Sequence, residues 1–240
     1  MYYTKYVYRL SVGDFYEFLA EYGKGLEILS ENESSVEFAT YEPVQGLKPL
    51  DLLKVEVLPP EKSFRPLRVK NFMILPSWIK PVVIRQGAAF GTGLHATTRL
   101  CLMLIEEFLQ EDWSVLDVGS GTGILAIASK KLGAGKVVAI DVDPQAVEEC
   151  KHNSQENCAS IECLLAKPED IGEEFDLLVA NLELDIFRRE IKHLKRLFKR
   201  VAIFSGLYRK EDLREFLKLL EAKPAKIKRL EGWYGVVIRR

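Results

Sequence analysis

Cysteine and histidine are scarce in this chain, four and three residues among 240, and no C-x-x-C pair occurs. Isolated as they are, they offer no ligand set for a zinc centre, and no metal is expected. Cys101, Cys150, Cys158 and Cys163 read as reduced thiols of a cytoplasmic protein, most of them inside segments patterned as helix or strand. Long apolar runs are also missing, since none approaches the roughly 18 residues of a membrane span. The first residues alternate instead of forming a basic region and an apolar core, so a soluble, unexported, monomeric protein is expected. Bulk charge of either sign is absent: the net charge of −1 argues against stable nucleic-acid binding. There is no internal repeat and no low-complexity tract. What charge there is lies unevenly, because residues 1–60 hold five Lys/Arg against ten Asp/Glu, a local −5 that leaves +4 on the rest. An acidic front end would attract a basic partner, or it is an ordinary solvated face.

What is present is ample apolar material, 48% of residues, enough for one sizeable domain and a smaller one. Residues 2–10 alternate aromatic or branched residues with polar ones, and Phe15, Phe18, Leu19 and Tyr22 repeat at helical spacing. Strand-like runs follow at 26–29, 36–40 and 52–57, giving a small β-α-β-β unit. Pro59-Pro60-Glu61-Lys62-Ser63 is a stiff polar break. The reading is therefore a small α+β domain at 1–58, a linker and entry segment at 59–80, and a larger domain at 81–240. In the larger part, a helix carries Leu100, Met103, Leu104 and Phe108 on one face, with Thr97 or Thr98 as its N-cap. Strand patterns then alternate with helical ones: 115–118, 137–140, 161–165, 175–180 and 201–204, with 225–230 and 233–238 as a closing pair. That alternation predicts a doubly wound, parallel sheet whose ligands sit beyond the carboxyl ends of its strands.

The most informative stretch is Val115-Leu116-Asp117-Val118-Gly119-Ser120-Gly121-Thr122-Gly123. It reads as a strand, a tight turn and a helix start, with glycines where a backbone must turn sharply and approach a ligand. The spacing is G-x-G-x-G, and Ile124 stands where a nicotinamide-cofactor fingerprint needs its third glycine. Asp141 ends the next strand, eighteen residues after Gly123, where an acid accepts hydrogen bonds from ribose hydroxyls. Asp143 is the alternative acid, and either could cap the following helix. Asp117 either faces the cofactor or holds the turn.

Phe90-Gly91-Thr92-Gly93-Leu94-His95-Ala96-Thr97-Thr98 resembles the F-G-T-G-x-H-x-T-T signature of the bacterial methyltransferases that modify large-subunit ribosomal protein L-eleven. Leu177-Leu178-Val179-Ala180-Asn181-Leu182 and Glu231-Gly232-Trp233 resemble that family's fourth-strand motif and C-terminus. Ala96, Ser120 and Glu183 depart from the common pattern in the loops. The resemblance implies an α/β fold: a seven-strand Rossmann-like class I methyltransferase sheet with a small N-terminal α+β substrate-recognition domain. It implies S-adenosylmethionine as cofactor and methyl transfer to lysine side-chain and N-terminal amines of L-eleven. The alternatives are a methyltransferase for another protein, RNA or small molecule, or a non-catalytic ribosome-assembly factor. By motif position, Thr98, Gly119, Asp141 and Asn181 would contact the cofactor, with Thr97, Gly121 and Phe90 beside them. Asn181 is the candidate catalytic residue, able to orient an amine through its carbonyls. His95 is read as shaping the loop, with a proton-transfer role as the alternative. Phe187, Ile191, Leu194 and Phe198 make one face of a helix whose other face, from Arg188 to Arg200, is basic. That face is read as solvated surface, with contact to ribosomal RNA as the alternative.

Overall fold

The computed structural model describes residues 2–56, 65–85 and 93–240, and the chain divides into two compact units, Met1–Ile79 and Lys80–Arg240. In the first unit β1 (Tyr2–Ser11), α1 (Val12–Tyr22), β2 (Leu26–Glu31), β3 (Ser35–Thr40) and β4 (Asp51–Glu56) form an antiparallel sheet of order β2-β3-β1-β4. Tyr8, Phe15, Val36 and Phe38 are its buried core. Ser11 ends the strand and starts the helix, its hydroxyl accepting from the Asp14 N–H. Such a cap stabilises a helix by about 1 kcal/mol. A short hairpin, β5 (Leu67–Val69) and β6 (Phe72–Ile74), follows.

The second unit contains α2 (Ala96–Phe108), β7 (Val115–Val118), α3 (Ile124–Lys131), β8 (Val137–Asp141), α4 (Pro144–Glu156) and β9 (Glu162–Leu165). It continues with β10 (Phe175–Asn181), α5 (Leu184–Arg196), β11 (Phe198–Leu207), α6 (Lys210–Leu220), β12 (Lys226–Leu230) and β13 (Trp233–Arg239). The seven strands run in the order β12-β13-β11-β10-β7-β8-β9, with only β13 antiparallel to its neighbours. This is the seven-strand Rossmann-like sheet expected from the sequence. The chain winds outward from β7 to β9 and then returns to place β10 on the other side of β7. The strand order therefore reverses between β7 and β10, which is where such sheets open a crevice.

Helices cover both faces. On one, Phe187, Phe204 and Phe216 meet with ring centroids 4.8 to 5.8 Å apart, each pair stabilising by roughly 0.5–1.5 kcal/mol beyond its burial. On the other, Leu104, Ile105, Val115 and Val179 pack together. Three expectations need correction here. The N-cap of α2 is His95, whose side chain accepts from the Thr97 N–H, so both threonines lie inside the first turn. The basic helix stops at Arg196; Phe198 instead pairs with Phe175 in the sheet, and Lys199 and Arg200 lie on β11. Of its cations, Arg188 pairs with Glu215 and Asp185, and Lys195 with Glu221. Finally, Cys150 and Cys163 form a disulfide, their Cα atoms 6.4 Å apart, because α4 packs directly on β9. Among the described residues no helix is long and apolar enough to cross a membrane.

The turn after β7 is fixed from several directions. Gly119 and Ser120 donate their N–H groups to the Ile140 carbonyl at 2.9 and 3.1 Å, holding the turn against β8. Gly123, at φ +79°, is the N-cap of α3 and has no side chain to satisfy the helix's first N–H groups. Asp117 does it from the strand, its Oδ2 accepting from the Ala126 N–H at 3.1 Å. Asp117 is buried, its Oδ1 has no partner, and burial pushes its pKa up to about 7. In the unfolded chain an aspartate titrates near ~3.9. Between those values the folded state keeps a proton that the unfolded state has released, so stability falls as pH rises from about 4 to 7. Asp117→Asn cannot titrate and should lose this slope. Melting curves of the two proteins should diverge between those pH values, at up to roughly 1.4 kcal/mol per pH unit, with the wild type losing ground. A constant difference across the range would contradict it.

Candidate functional site

At the carboxyl edge of the sheet, where the strand order reverses, lies a cleft of about 840 Å³ within the second unit. Its floor is Val118, Gly119 and Gly121, the end of β7 and its turn. One wall is Asp141, Val142 and Asp143 from the end of β8, with Ala166 to Pro168 beyond β9. The opposite wall is Asn181, Leu182 and Glu183 from the end of β10, with Ile186, Arg189 and Glu190 of α5. His95, Thr97 and Trp233 border the same space.

The glycines are there because other atoms occupy the room a side chain would need. A Cβ on Gly119 would come within 2.4 Å of Leu182 Cδ2, and one on Gly206 within 2.0 Å of the Leu182 carbonyl oxygen. Both have positive φ, +70° and +102°. Leu182 is thus clamped between the turn after β7 and strand β11, and its N–H donates to the Ser205 carbonyl at 3.0 Å. That clamp sets the direction in which the chain leaves β10, immediately after Asn181. The Asn181 side chain has no hydrogen-bond partner among the described residues and borders the cleft.

Asp141 has both carboxylate oxygens in use. Oδ2 accepts from the Gly121 N–H at 2.9 Å and Oδ1 from the Asp143 N–H at 3.0 Å, so this acid braces the glycine turn while facing the cleft. Asp143 is the N-cap of α4, its carboxylate accepting from the Gln145 N–H at 2.9 Å. Of the two candidate acids, then, Asp143 serves the helix and Asp141 joins the strand end to the turn. Each Asp141 oxygen still has lone pairs to offer a hydroxyl.

Thr97 lines the cleft, and its hydroxyl lies 2.8 Å from His95 Nδ1. Thr98 does not line it: its hydroxyl is buried without a partner, as is that of Ser120 in the glycine turn. Phe90 lies outside the described residues. Asp117 sits behind the turn, and Cys101 next to it is fully buried, its thiol pushed well above the ordinary range by burial. No group of three His, Cys, Asp or Glu among the described residues is arranged to hold a metal.

Trp233, the first residue of β13, borders the cleft as well as starting a strand. Its ring meets His95 edge-on at 4.8 Å and Tyr208 at 4.9 Å, while Glu231 pairs with Arg99 at 2.7 Å. The closing hairpin thereby reaches back to the start of α2. The sequence signal was the Glu231-Gly232-Trp233 turn, where Gly232 at φ +89° leaves room for the Tyr208 ring.

With this geometry in view, the chain can be set beside known proteins. The family model for "Ribosomal protein L11 methyltransferase (PrmA)" matches residues 59–240. A ribosomal protein L11 methyltransferase of Aquifex aeolicus is 44% identical over 239 residues, 98% of each chain. One from Dictyoglomus thermophilum is 39% identical over 191 residues, 74% of this chain and 63% of that longer protein, so the match spans under two thirds of it. The crystal structure of the ribosomal protein L11 methylase from Lactobacillus delbrueckii subsp. bulgaricus superposes with a TM-score of 0.58 at 31% identity, covering 62% of this chain and 81% of that one. The chain belongs to the ribosomal protein L11 methyltransferase (PrmA) family.

Proposed function

We propose that this chain binds S-adenosylmethionine in the cleft between β7 and β10 and methylates amines of ribosomal protein L11, on lysine side chains and at the N-terminus. The observation that carries the reading is the placement of Asn181. Its unpartnered amide stands across the crevice entrance from Gly119 and Asp141, at the point where the strand order reverses.

The fit is chemical as well as positional. Asp141 has lone pairs for ribose hydroxyls, and Gly119 and Gly121 let the backbone come close to a ligand. Thr97 stands at the N-terminus of α2, where free N–H groups and the helix dipole favour a carboxylate. Ile140, Val142, Ala146 and Ala166 give an apolar slot for a flat base.

When bound, S-adenosylmethionine supplies a methyl group already activated by its sulfonium. The chain's own residues then have to align an amine with it, and alignment of this kind can be worth up to roughly 7–11 kcal/mol. Asn181 does so by accepting N–H bonds through its side-chain carbonyl, which also favours a neutral amine lone pair facing inward. A lysine ammonium, with a pKa of about 10.4 in water, is driven toward the neutral form by a desolvated, positively charged neighbourhood. Acid–base chemistry by a protein side chain is not required. Residues 1–60, with five Lys/Arg against ten Asp/Glu, are the part we assign to recognition of the basic substrate.

The test is transfer of labelled methyl groups from S-adenosylmethionine to unmethylated L11, with the modified amines mapped by mass spectrometry. The wild type should label lysine and N-terminal amines. Asn181→Ala should lower kcat by about 10²-fold while binding the cofactor within about threefold of wild type. Asp141→Asn should show the opposite pattern, weakening cofactor binding by about tenfold or more. A wild type that binds the cofactor and labels no amine of L11 would overturn the substrate assignment.

A further inference from the structure

Helix α4 takes no part in the cleft's polar wall beyond its N-cap, yet two buried asparagines one turn apart lie at its end, Asn153 in its last turn and Asn157 as its C-cap. Asn153 Nδ2 donates to the Thr122 carbonyl of the glycine turn at 2.9 Å. Its Oδ1 accepts from the Arg85 N–H at 3.0 Å. Asn157 Oδ1 accepts from the Val83 N–H at 2.9 Å, and its Nδ2 donates to the Val83 carbonyl at 2.6 Å. Among the described residues the Asn157 side chain makes no hydrogen bond to the glycine turn. Its remaining bond runs to the Asn153 carbonyl.

The spacing explains why two amides suffice. Four residues along a helix advance about 6.0 Å, and two residues along an extended chain advance about 6.6 Å. Alternate residues 83 and 85 therefore meet the helix positions 153 and 157 in step. Val82 and Ile84 turn the other way and pack on the core. The helix itself is well anchored: Cys150, one turn before Asn153, is bonded to Cys163 of β9, and its Sγ fills the space beside Gly123.

We propose that Asn153 is a positioning residue for the cofactor site: one side-chain amide ties the back of the glycine turn to the extended segment 82–85 across α4. The inference rests on the assignment of S-adenosylmethionine to the cleft. Only an amide satisfies both partners, one a donor and the other an acceptor. A carboxylate at 153 would face the Thr122 carbonyl oxygen with no proton to offer.

Asn153→Asp and Asn157→Asp are the same exchange on the same helix face, and both disturb segment 82–85. Only the first faces the glycine turn. Asn153→Asp should raise the Kd and KM for S-adenosylmethionine by about tenfold, with kcat within about threefold, because a buried carbonyl loses its donor. Asn157→Asp should stay within about threefold on all of these. Wild-type affinity in Asn153→Asp, or equal impairment in the two variants, overturns the proposal. Amide hydrogen exchange on the wild type needs no variant to fold. Addition of S-adenosylmethionine should slow exchange both at 121–125 and at 83–85; slowing at 121–125 alone also overturns it. A wild type that binds no S-adenosylmethionine brings down the cofactor assignment, whereas a wild type that binds it beside an unaffected Asn153→Asp brings down this inference alone.

Discussion

The three glycines of the turn after β7 bring no side chains to hold it, and everything at the carboxyl edge of the sheet depends on how other elements hold that backbone. Asp117, from the preceding strand, fixes the start of α3 just beyond it, while the Ile140 carbonyl and Asp141 hold it from β8 and Asn153 from α4. Leu182 covers it from the far side of the crevice. Each of these is a single hydrogen bond or contact, worth about 1 kcal/mol taken alone. Together they convert the most permissive residue type into a fixed backbone surface. A turn fixed this way presents its N–H and Cα edges to a ligand without reorganising when one arrives, which is how preorganisation contributes to binding.

Much of this was legible in the sequence because the signals are local. A four-residue apolar strand followed by alternating glycines needs no tertiary information, nor does an acid at the end of the next strand or an asparagine at the end of the fourth. The seven strands were legible for the same reason, since buried parallel strands are short apolar runs. What escaped depends on contacts between distant parts of the chain. Phe198 continues the helical spacing of Phe187, Ile191 and Leu194, but its pairing with Phe175 draws it into β11. Thr97 and Thr98 are good capping residues, yet His95 takes the cap because its ring is oriented by the closing hairpin, with Trp233 stacked edge-on against it. The pairing of Cys150 with Cys163 follows from a helix lying on a strand, which spacing alone does not disclose.

The division of labour in the site follows from the same geometry. Asp141 and the turn form a rigid half of the cleft, built from β7, β8 and α4. Asn181, Leu182 and Glu183 form the other half, built from β10 and α5, with Gly206 of β11 making room for the Leu182 backbone.

The central claim is that the crevice between β7 and β10 is shaped for a sulfonium nucleoside rather than a dinucleotide. Calorimetric titration of the intact chain with S-adenosylmethionine, and separately with NAD, measures this most directly. The account predicts one saturable site per chain for S-adenosylmethionine and no heat of binding for NAD. Saturable binding of NAD with none of S-adenosylmethionine would contradict it.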